Sequence, residues 1–349
     1  LYLCSSVATF LRMSPMDDPP RFRRQLRAWF RRHGRDLPWR GTHDPYAILV
    51  SEFMLQQTQV ATVLPYYERW LARFPDFAVL ARTDESQVLH AWQGLGYYAR
   101  ARNLQAAARA MMENFNGTMP RRVEEIATLP GVGRYTAGAV ASFAFDQAEP
   151  IVDANIARVL ARLTNWQAPI DTAAGRAHLW ETARNLLPKN RARLHNSALM
   201  ELGALVCLPR QPACERCPVR AFCAATEPRA LPRKKPTPRA VLLHEPHAFA
   251  LRRNRILLEQ SHERWRGMWI LPRLAASPKT APLLQFDFPF THHRVTLSVF
   301  EPTARFAPNE KLRWFRLAEI DALPLPSPHR RALEQLLPRQ MLCSTFPRT

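Results

Sequence analysis

The chain has 349 residues, which suits two or three domains rather than one. Its 49 basic and 29 acidic residues give a formal charge of +20, too basic for an ordinary metabolic enzyme and suited to a polyanionic partner, most simply nucleic acid. Hydrophobic residues make up 47%, which excludes a disordered basic tail, and no apolar run reaches the roughly 18 residues of a membrane span. Leu1–Leu11 is apolar but lacks a basic n-region, so residues 1–19 are expected as a disordered leader, with Met13 or Met16 as candidate starts.

From residue 20 to residue 206 the sequence predicts helix after helix. In Phe22–Phe30 the apolar residues recur at i, i+4, i+7 and i+8, and Gly34 is placed to stop that helix. Asp44-Pro45 supplies an N-cap and a first-position proline for a helix from Tyr46 to about Thr58. Further helices are expected at Asp84–Trp92, Tyr97–Phe115, Val123–Leu129, Tyr135–Phe145, Ala154–Leu163, Thr172–Leu187 and Arg191–Val206. Residues 207–226 hold a run of cysteines, and the Pro-rich basic stretch 227–239 reads as a semi-extended linker. Beyond it, residues 240–340 turn to short strands: Ala240–His244, Ala248–Arg252, Ile256–Gln260, Val295–Phe300 and Leu312–Phe315. Helical pieces at Leu317–Ala322 and Pro328–Leu336 complete a small α+β domain.

Cys207, Cys214, Cys217 and Cys223 fall in the spacing C-x6-C-x2-C-x5-C. Four thiols in so short a run suit an iron–sulfur cluster or a tetrahedral zinc, and the spacing leaves both open. Cys4 and Cys343 have no partner in sequence and read as incidental.

Leu129-Pro-Gly-Val-Gly133 lies between two predicted helices and is the helix-hairpin-helix signature. Gly131 and Gly133 there let backbone N–H groups approach a phosphate, and the helix start that follows favours its charge. Glu52 sits in the otherwise apolar run Ile48–Leu55, where desolvation raises a carboxyl pKa and makes a general acid. A Glu on a polar strip with Gln56 is the bland alternative. Asp153 precedes a helix and reads first as an N-cap, whose carboxylate the helix N–H groups keep negative. One neutral acid and one fixed anion form the pair that cleaves a glycosidic bond through a cationic sugar.

With the hairpin, Val152-Asp153 and the four cysteines in this order, the chain resembles the endonuclease III superfamily of DNA glycosylases. Leu37–Arg40, Ser51–Thr58, Gly94–Tyr98 and Glu201–Ala204 resemble blocks of its MutY-type adenine glycosylases, and the resemblance covers residues 20–340. The implied fold is an all-α helix-hairpin-helix core with a 4Fe–4S cluster loop held by the four cysteines, followed by a C-terminal α+β Nudix-like domain. The implied activity is removal of adenine mispaired with 8-oxoguanine or guanine in double-stranded DNA, by base flipping. Glu52 would protonate adenine at N7, Asp153 would stabilise the oxocarbenium sugar, and Tyr135 would orient both Asp153 and the sugar. Strand-cleaving relatives carry a Schiff-base Lys where Tyr135 stands, and the first Lys here is Lys189, so no lyase step is expected. Arg40, Gln57, Tyr97, Gly131 and Gly133 would contact DNA, and Thr291 and His292 would read 8-oxoguanine. The resemblance further implies a monomer in a bacterial cytoplasm, away from membranes.

Three departures stand out. Ala154 replaces the usual Gly after the catalytic Asp, Phe290-Thr291-His292 stands where Phe-Ser-His is usual, and residues between Pro272 and Phe286 are too few for the usual helix. The glutamate-rich box of Nudix hydrolases is missing, so no pyrophosphatase activity is expected. Two rival readings are a thymine-mismatch glycosylase of the same superfamily and a non-catalytic Fe–S DNA-binding module.

Overall fold

The computed structural model describes residues 14–236, 239–302, 306 and 310–337. Twelve helices run through the first part: α1 (Pro19–His33), α2 (Pro38–Gly41), α3 (Pro45–Leu55), α4 (Val60–Arg73), α5 (Phe77–Arg82), α6 (Glu85–Ala91), α7 (Ala99–Phe115), α8 (Val123–Ile126), α9 (Arg134–Phe145), α10 (Ala154–Leu163), α11 (Ala173–Leu186) and α12 (Ala192–Leu205). Strands β1 (Val241–Ala248), β2 (Leu251–Arg252), β3 (Arg255–Gln260), β4 (Trp269–Ile270), β5 (Leu284–Phe290), β6 (His293–Phe300) and β7 (Leu312–Arg316) follow, then α13 (Ser327–Leu336). No helix among the described residues is long and apolar enough to cross a membrane.

The chain folds as two compact units that do not follow its order. The first takes residues up to Glu52 and Thr118–Pro236; the second takes Phe53–Gly117 and the residues from Thr237 onward. The first unit is built on a core in which α10 is central: Ile156, Val159, Leu160 and Leu163 pack with Phe22, Leu26, Leu199, Leu202 and Phe222. In the second unit the C-terminal strands form two sheets. β1 pairs parallel with β6, which pairs antiparallel with β5. β3 pairs antiparallel with β2, β4 and β7. Alternation buries Val295, Leu297 and Val299 of β6, and Leu297 and Val299 pack in a core with Ile256, Leu258, Phe315 and Leu333. This α+β layer sits on the helices of its own unit. Arg102 Nη1 donates to the Arg266 carbonyl at 2.9 Å, His90 Nε2 lies 2.7 Å from the Asp321 carbonyl, and a Cβ on Gly267 would meet Glu85 Oε1 at 3.0 Å.

Several expectations need correction. At the described end of the leader Asp18 Oδ1 caps α1 by accepting from Arg21 N at 2.9 Å, and Met16 packs on the first core. The rest of that leader, with Cys4, lies outside the described residues, as does Cys343. The linker is also fastened: Leu231 is buried, Arg233 O accepts from Ile170 N at 3.0 Å, and Lys235 N donates to Asp171. Helices α4 and α5 were not legible. Pro65 lies inside α4, but burying Val63, Tyr67 and Trp70 on one face offsets the hydrogen bond it forfeits. Helix α3 ends at Leu55 and α7 begins at Ala99 because Gln57 and Tyr97 are left-handed, with φ of 57° and 48°. Strand β5 is not expected from the sequence because Pro289 lies inside it and cannot donate to a ladder, although Leu284, Phe286, Phe288 and Phe290 alternate as a strand requires. Residues 273–283 carry no helix.

Candidate active site

Helix α3 is apolar nearly all round, so its middle is buried from Tyr46 to Met54. Asp44 opens it, accepting from Tyr46 N at 3.0 Å. Glu52 is carried into that interior and is 4% exposed. Burial pushes its carboxyl up to about 7, with Asp153 adding to the rise and a hydrogen bond from Tyr135 opposing it. A carboxyl poised there can exchange a proton at neutral pH, and its burial does not fit a solvent-facing polar strip with Gln56.

The hairpin delivers Tyr135. Gly131 makes the turn with φ of +73°, a conformation that side chains resist. Gly133 caps α9, and a Cβ there would meet nothing within 4 Å, so this turn has open room on its outer side. Tyr135, second in α9, turns its hydroxyl to Glu52; burial and the two carboxyl groups raise its pKa well above the ordinary value. Tyr135 therefore stays a proton donor.

Asp153 caps α10, with Oδ1 accepting from Ile156 N at 2.7 Å and Oδ2 from Asn155 Nδ2 at 3.0 Å. Burial raises its pKa, while these N–H groups and Arg158 pull it back. The cap thus works against desolvation and offsets part of it. Ala154 stands exposed at the first helical position, where a methyl group is tolerated.

Sequence reading missed what braces Asp153. Asn155 Oδ1 accepts from Arg158 Nη2 at 2.9 Å; Arg158 Nε donates to the Cys207 carbonyl at 2.8 Å and Nη2 to the Gly203 carbonyl at 2.8 Å. A Cβ on Gly203 would meet that of Asn155 at 2.7 Å, so α12 approaches α10 closely only with glycine there. Arg162, 1% exposed, donates to Cys207 Sγ at 3.2 Å and to the Leu208 carbonyl at 2.7 Å. A continuous hydrogen-bonded chain therefore runs from Asp153 through Asn155 and Arg158 to Cys207.

Among the described residues, no three His, Cys, Asp or Glu side chains stand in metal-holding geometry. The four thiols are nevertheless neighbours. Cys207, Cys217 and Cys223 pack against one core, and the thiol of Cys217 is pushed up to about 12 by burial, with the other three cysteines adding to it. Four crowded thiols with a guanidinium on one sulfur fit a group that binds thiolates.

Arg40 is turned inward. Its Nη2 lies 2.6 Å from Glu201 Oε2, and Arg35 holds the other oxygen of that fully buried carboxylate at 2.8 Å. These two partners hold Glu201 down at about 2 against the cost of its burial.

A cavity of about 530 Å³ lies within the second unit, lined among others by Gln57, Tyr97, Arg264, Trp265, Phe290 and Thr291. Three of these, Gln57, Tyr97 and Thr291, have φ of 57°, 48° and 52°. Thr291 and His292 form the β5–β6 turn, and Thr291 Oγ1 donates to the Phe290 carbonyl at 2.7 Å. His292 is exposed beside His293 and does not line the cavity. Arg264 lies 4.5 Å over the Phe290 ring and 2.8 Å from Glu245, bracing that turn.

Residues 50–185 match the HhH-GPD superfamily base excision DNA repair protein family. Over 232 residues the chain is 45% identical to adenine DNA glycosylase of Mus musculus, covering 64% of this chain and 45% of that protein. Over 197 residues it is 45% identical to adenine DNA glycosylase of Mycobacterium tuberculosis (strain CDC 1551 / Oshkosh), covering 56% of this chain and 64% of that one. The matched stretch thus spans about half of these relatives. Among solved structures, a thermostable thymine-DNA glycosylase is 32% identical with a TM-score of 0.56, covering 61% of this chain and 99% of that one. With that relative matched along almost its whole length, the chain belongs to the HhH-GPD superfamily of base excision DNA repair proteins.

Proposed function

We propose that this protein removes adenine from mispairs with 8-oxoguanine or guanine in double-stranded DNA by hydrolysing the N-glycosidic bond. The observation that carries this reading is Glu52, buried, poised near pH 7 and hydrogen-bonded by Tyr135, with the helix-capped Asp153 raising its pKa. The flipped adenine takes a proton at N7 from Glu52 and becomes a neutral leaving group. Asp153, held by Ile156 N and Asn155, stabilises the cationic sugar, and Tyr135 keeps the two carboxyl groups in register. Water completes the reaction and leaves an abasic site. Residue 135 is Tyr and no Lys precedes Lys189, so the hairpin position offers no amine for a Schiff base. Gly131 and Gly133 approach a phosphate of the strand, while Gln57 and Tyr97 enter the duplex and Thr291 with His292 reads the base left opposite. The α+β part serves this reading as a Nudix-like domain.

The four cysteines fit a 4Fe–4S cluster, which Cys207, Cys214, Cys217 and Cys223 would hold. When bound it would supply a rigid, charged staple for the loop; Arg158 and Asn155 tie that loop to Asp153. The monomeric state and a cytoplasmic site of action go with this reading.

The likeness to a thymine-DNA glycosylase favours one second reading, a thymine-mismatch enzyme. Single-turnover assays on duplexes holding A:8-oxoguanine, A:G, T:G or A:T decide between them. Adenine release from the first two alone is expected. Thymine release from T:G without adenine release would overturn the proposal.

A further inference from the structure

Arg100, the second residue of α7, is 7% exposed. None of its hydrogen-bond acceptors is a carboxylate. Nη1 donates to the carbonyls of Phe53 at 2.9 Å, Met54 at 2.8 Å and Gln56 at 2.6 Å. Nη2 donates to Thr58 Oγ1 at 3.1 Å and to the carbonyls of Leu95 at 2.8 Å and Gly96 at 3.1 Å. The first group belongs to the end of α3 and the turn after it, where helix carbonyls lack partners and the helix dipole is negative. The second group spans that turn and the segment leading into α7. One planar guanidinium therefore clamps two segments 35 or more residues apart in the chain, and its fork geometry suits several acceptors at once.

Each clamped segment presents a non-glycine residue in the left-handed region, Gln57 in one and Tyr97 in the other. Both side chains are exposed, Tyr97 by 43%, and both line the cavity of the second unit. The guanidinium also lies 5.7 Å from the Tyr97 ring and 5.3 Å from the Trp92 ring. A side chain serving only as a helix cap needs no contact with the second segment. Arg100 makes half of its hydrogen bonds outside the α3 end and its following carbonyls.

We propose that Arg100 is a positioning residue that fixes the separation and backbone conformation of Gln57 and Tyr97 and so sets how the pair meets a mispaired duplex. This rests on the reading that Gln57 and Tyr97 enter DNA. The test uses the full-length chain with Arg100→Lys, which keeps the charge and loses the fork, and Thr58→Val, which removes one acceptor and spares the rest. Amide hydrogen exchange is read first, without DNA. Exchange is expected to quicken by about tenfold in residues 53–58 and 94–97 of Arg100→Lys, and less in Thr58→Val, with the other helices unchanged. Binding is then titrated with a duplex carrying an uncleavable adenosine analogue opposite 8-oxoguanine. Arg100→Lys is expected to weaken this by about tenfold in the parent, and by less than about twofold in a Gln57→Ala/Tyr97→Ala background. Unchanged exchange in the two segments, exchange raised evenly along the chain, or an undiminished loss in the double-alanine background would overturn the proposal. Should Arg100→Lys not fold, the exchange pattern of Thr58→Val decides. If Gln57→Ala/Tyr97→Ala binds the duplex as the parent does, the DNA-contact reading fails, and the exchange result alone judges the clamp.

Discussion

Replacing Glu52 with Gln keeps the size of the side chain and a hydrogen-bond acceptor for Tyr135 but removes the ability to ionise. The carboxyl titrates at about 7 in the fold against an ordinary 4.5. Two and a half pK units correspond to about 3 kcal/mol between the two protonation states. The sign follows from which state binds the proton. Between pH 4.5 and 7 the unfolded chain has released it while the folded chain still holds it, so rising pH costs stability. The Glu52 contribution is fully present below pH 4.5, is lost through that window, and stays lost above pH 7. Gln carries no such loss. Denaturant unfolding of parent and Glu52→Gln, each at pH 5 and at pH 8, should show the variant gaining on the parent by up to about 3 kcal/mol as pH rises. Single-turnover adenine release should fall about 100- to 10,000-fold in the variant, the usual worth of a general acid. A parent–variant gap that does not move with pH would refute the desolvated carboxyl. Release at near-parental rate would refute its role as the acid.

Protein prepared without oxygen should contain iron rather than zinc by elemental analysis, and Cys214→Ser should lower both soluble yield and DNA affinity; zinc without iron would sink the cluster reading. Thr291→Ala with His292→Ala should lower the ratio of A:8-oxoguanine to A:G cleavage rates by roughly 5- to 150-fold, the worth of one or two base-edge hydrogen bonds, while sparing much of the A:G rate. A ratio that stays put would show that this turn does not read the partner base.

The parts of the site legible in the sequence were those whose chemistry clashes with their surroundings. Glu52 is an acid inside an apolar helix, Asp153 stands at a helix start, Leu129–Gly133 is a turn between helices, and four cysteines crowd one loop. Each signal is local, readable within ten or twenty residues. The two-unit organisation was not, because Phe53–Gly117 joins residues from Thr237 onward in space alone. Helix α4 was hidden by Pro65, and the ends of α3 and α7 were hidden by Gln57 and Tyr97, residue types that carry no warning of a positive φ.

The arginines show most clearly why the rest was illegible. Arg supplies 44 of the 49 basic residues, so no single one stands out. Glu201 could at least have been suspected, since an acid in the helical run around Leu199 and Leu202 demands cations, and Arg35 with Arg40 supplies them. Among the described residues Arg100, Arg158 and Arg162 form no ion pair with an acid, although Arg158 lies near enough to Asp153 to pull its carboxyl down. They are held by carbonyls left over where helices end or loops turn: Phe53 and Met54 for the first, Gly203 and Cys207 for the second, Cys207, Leu208 and Pro209 for the third. A carbonyl is present at every residue, so its demand for a donor leaves no mark in the sequence and appears only once the chain has turned. Arg100 holds the turns that carry Gln57 and Tyr97, and Arg158 braces Asp153 through Asn155, so the acids of the candidate site can be read from the sequence while only the fold distinguishes the arginines that set its geometry from the surface charge.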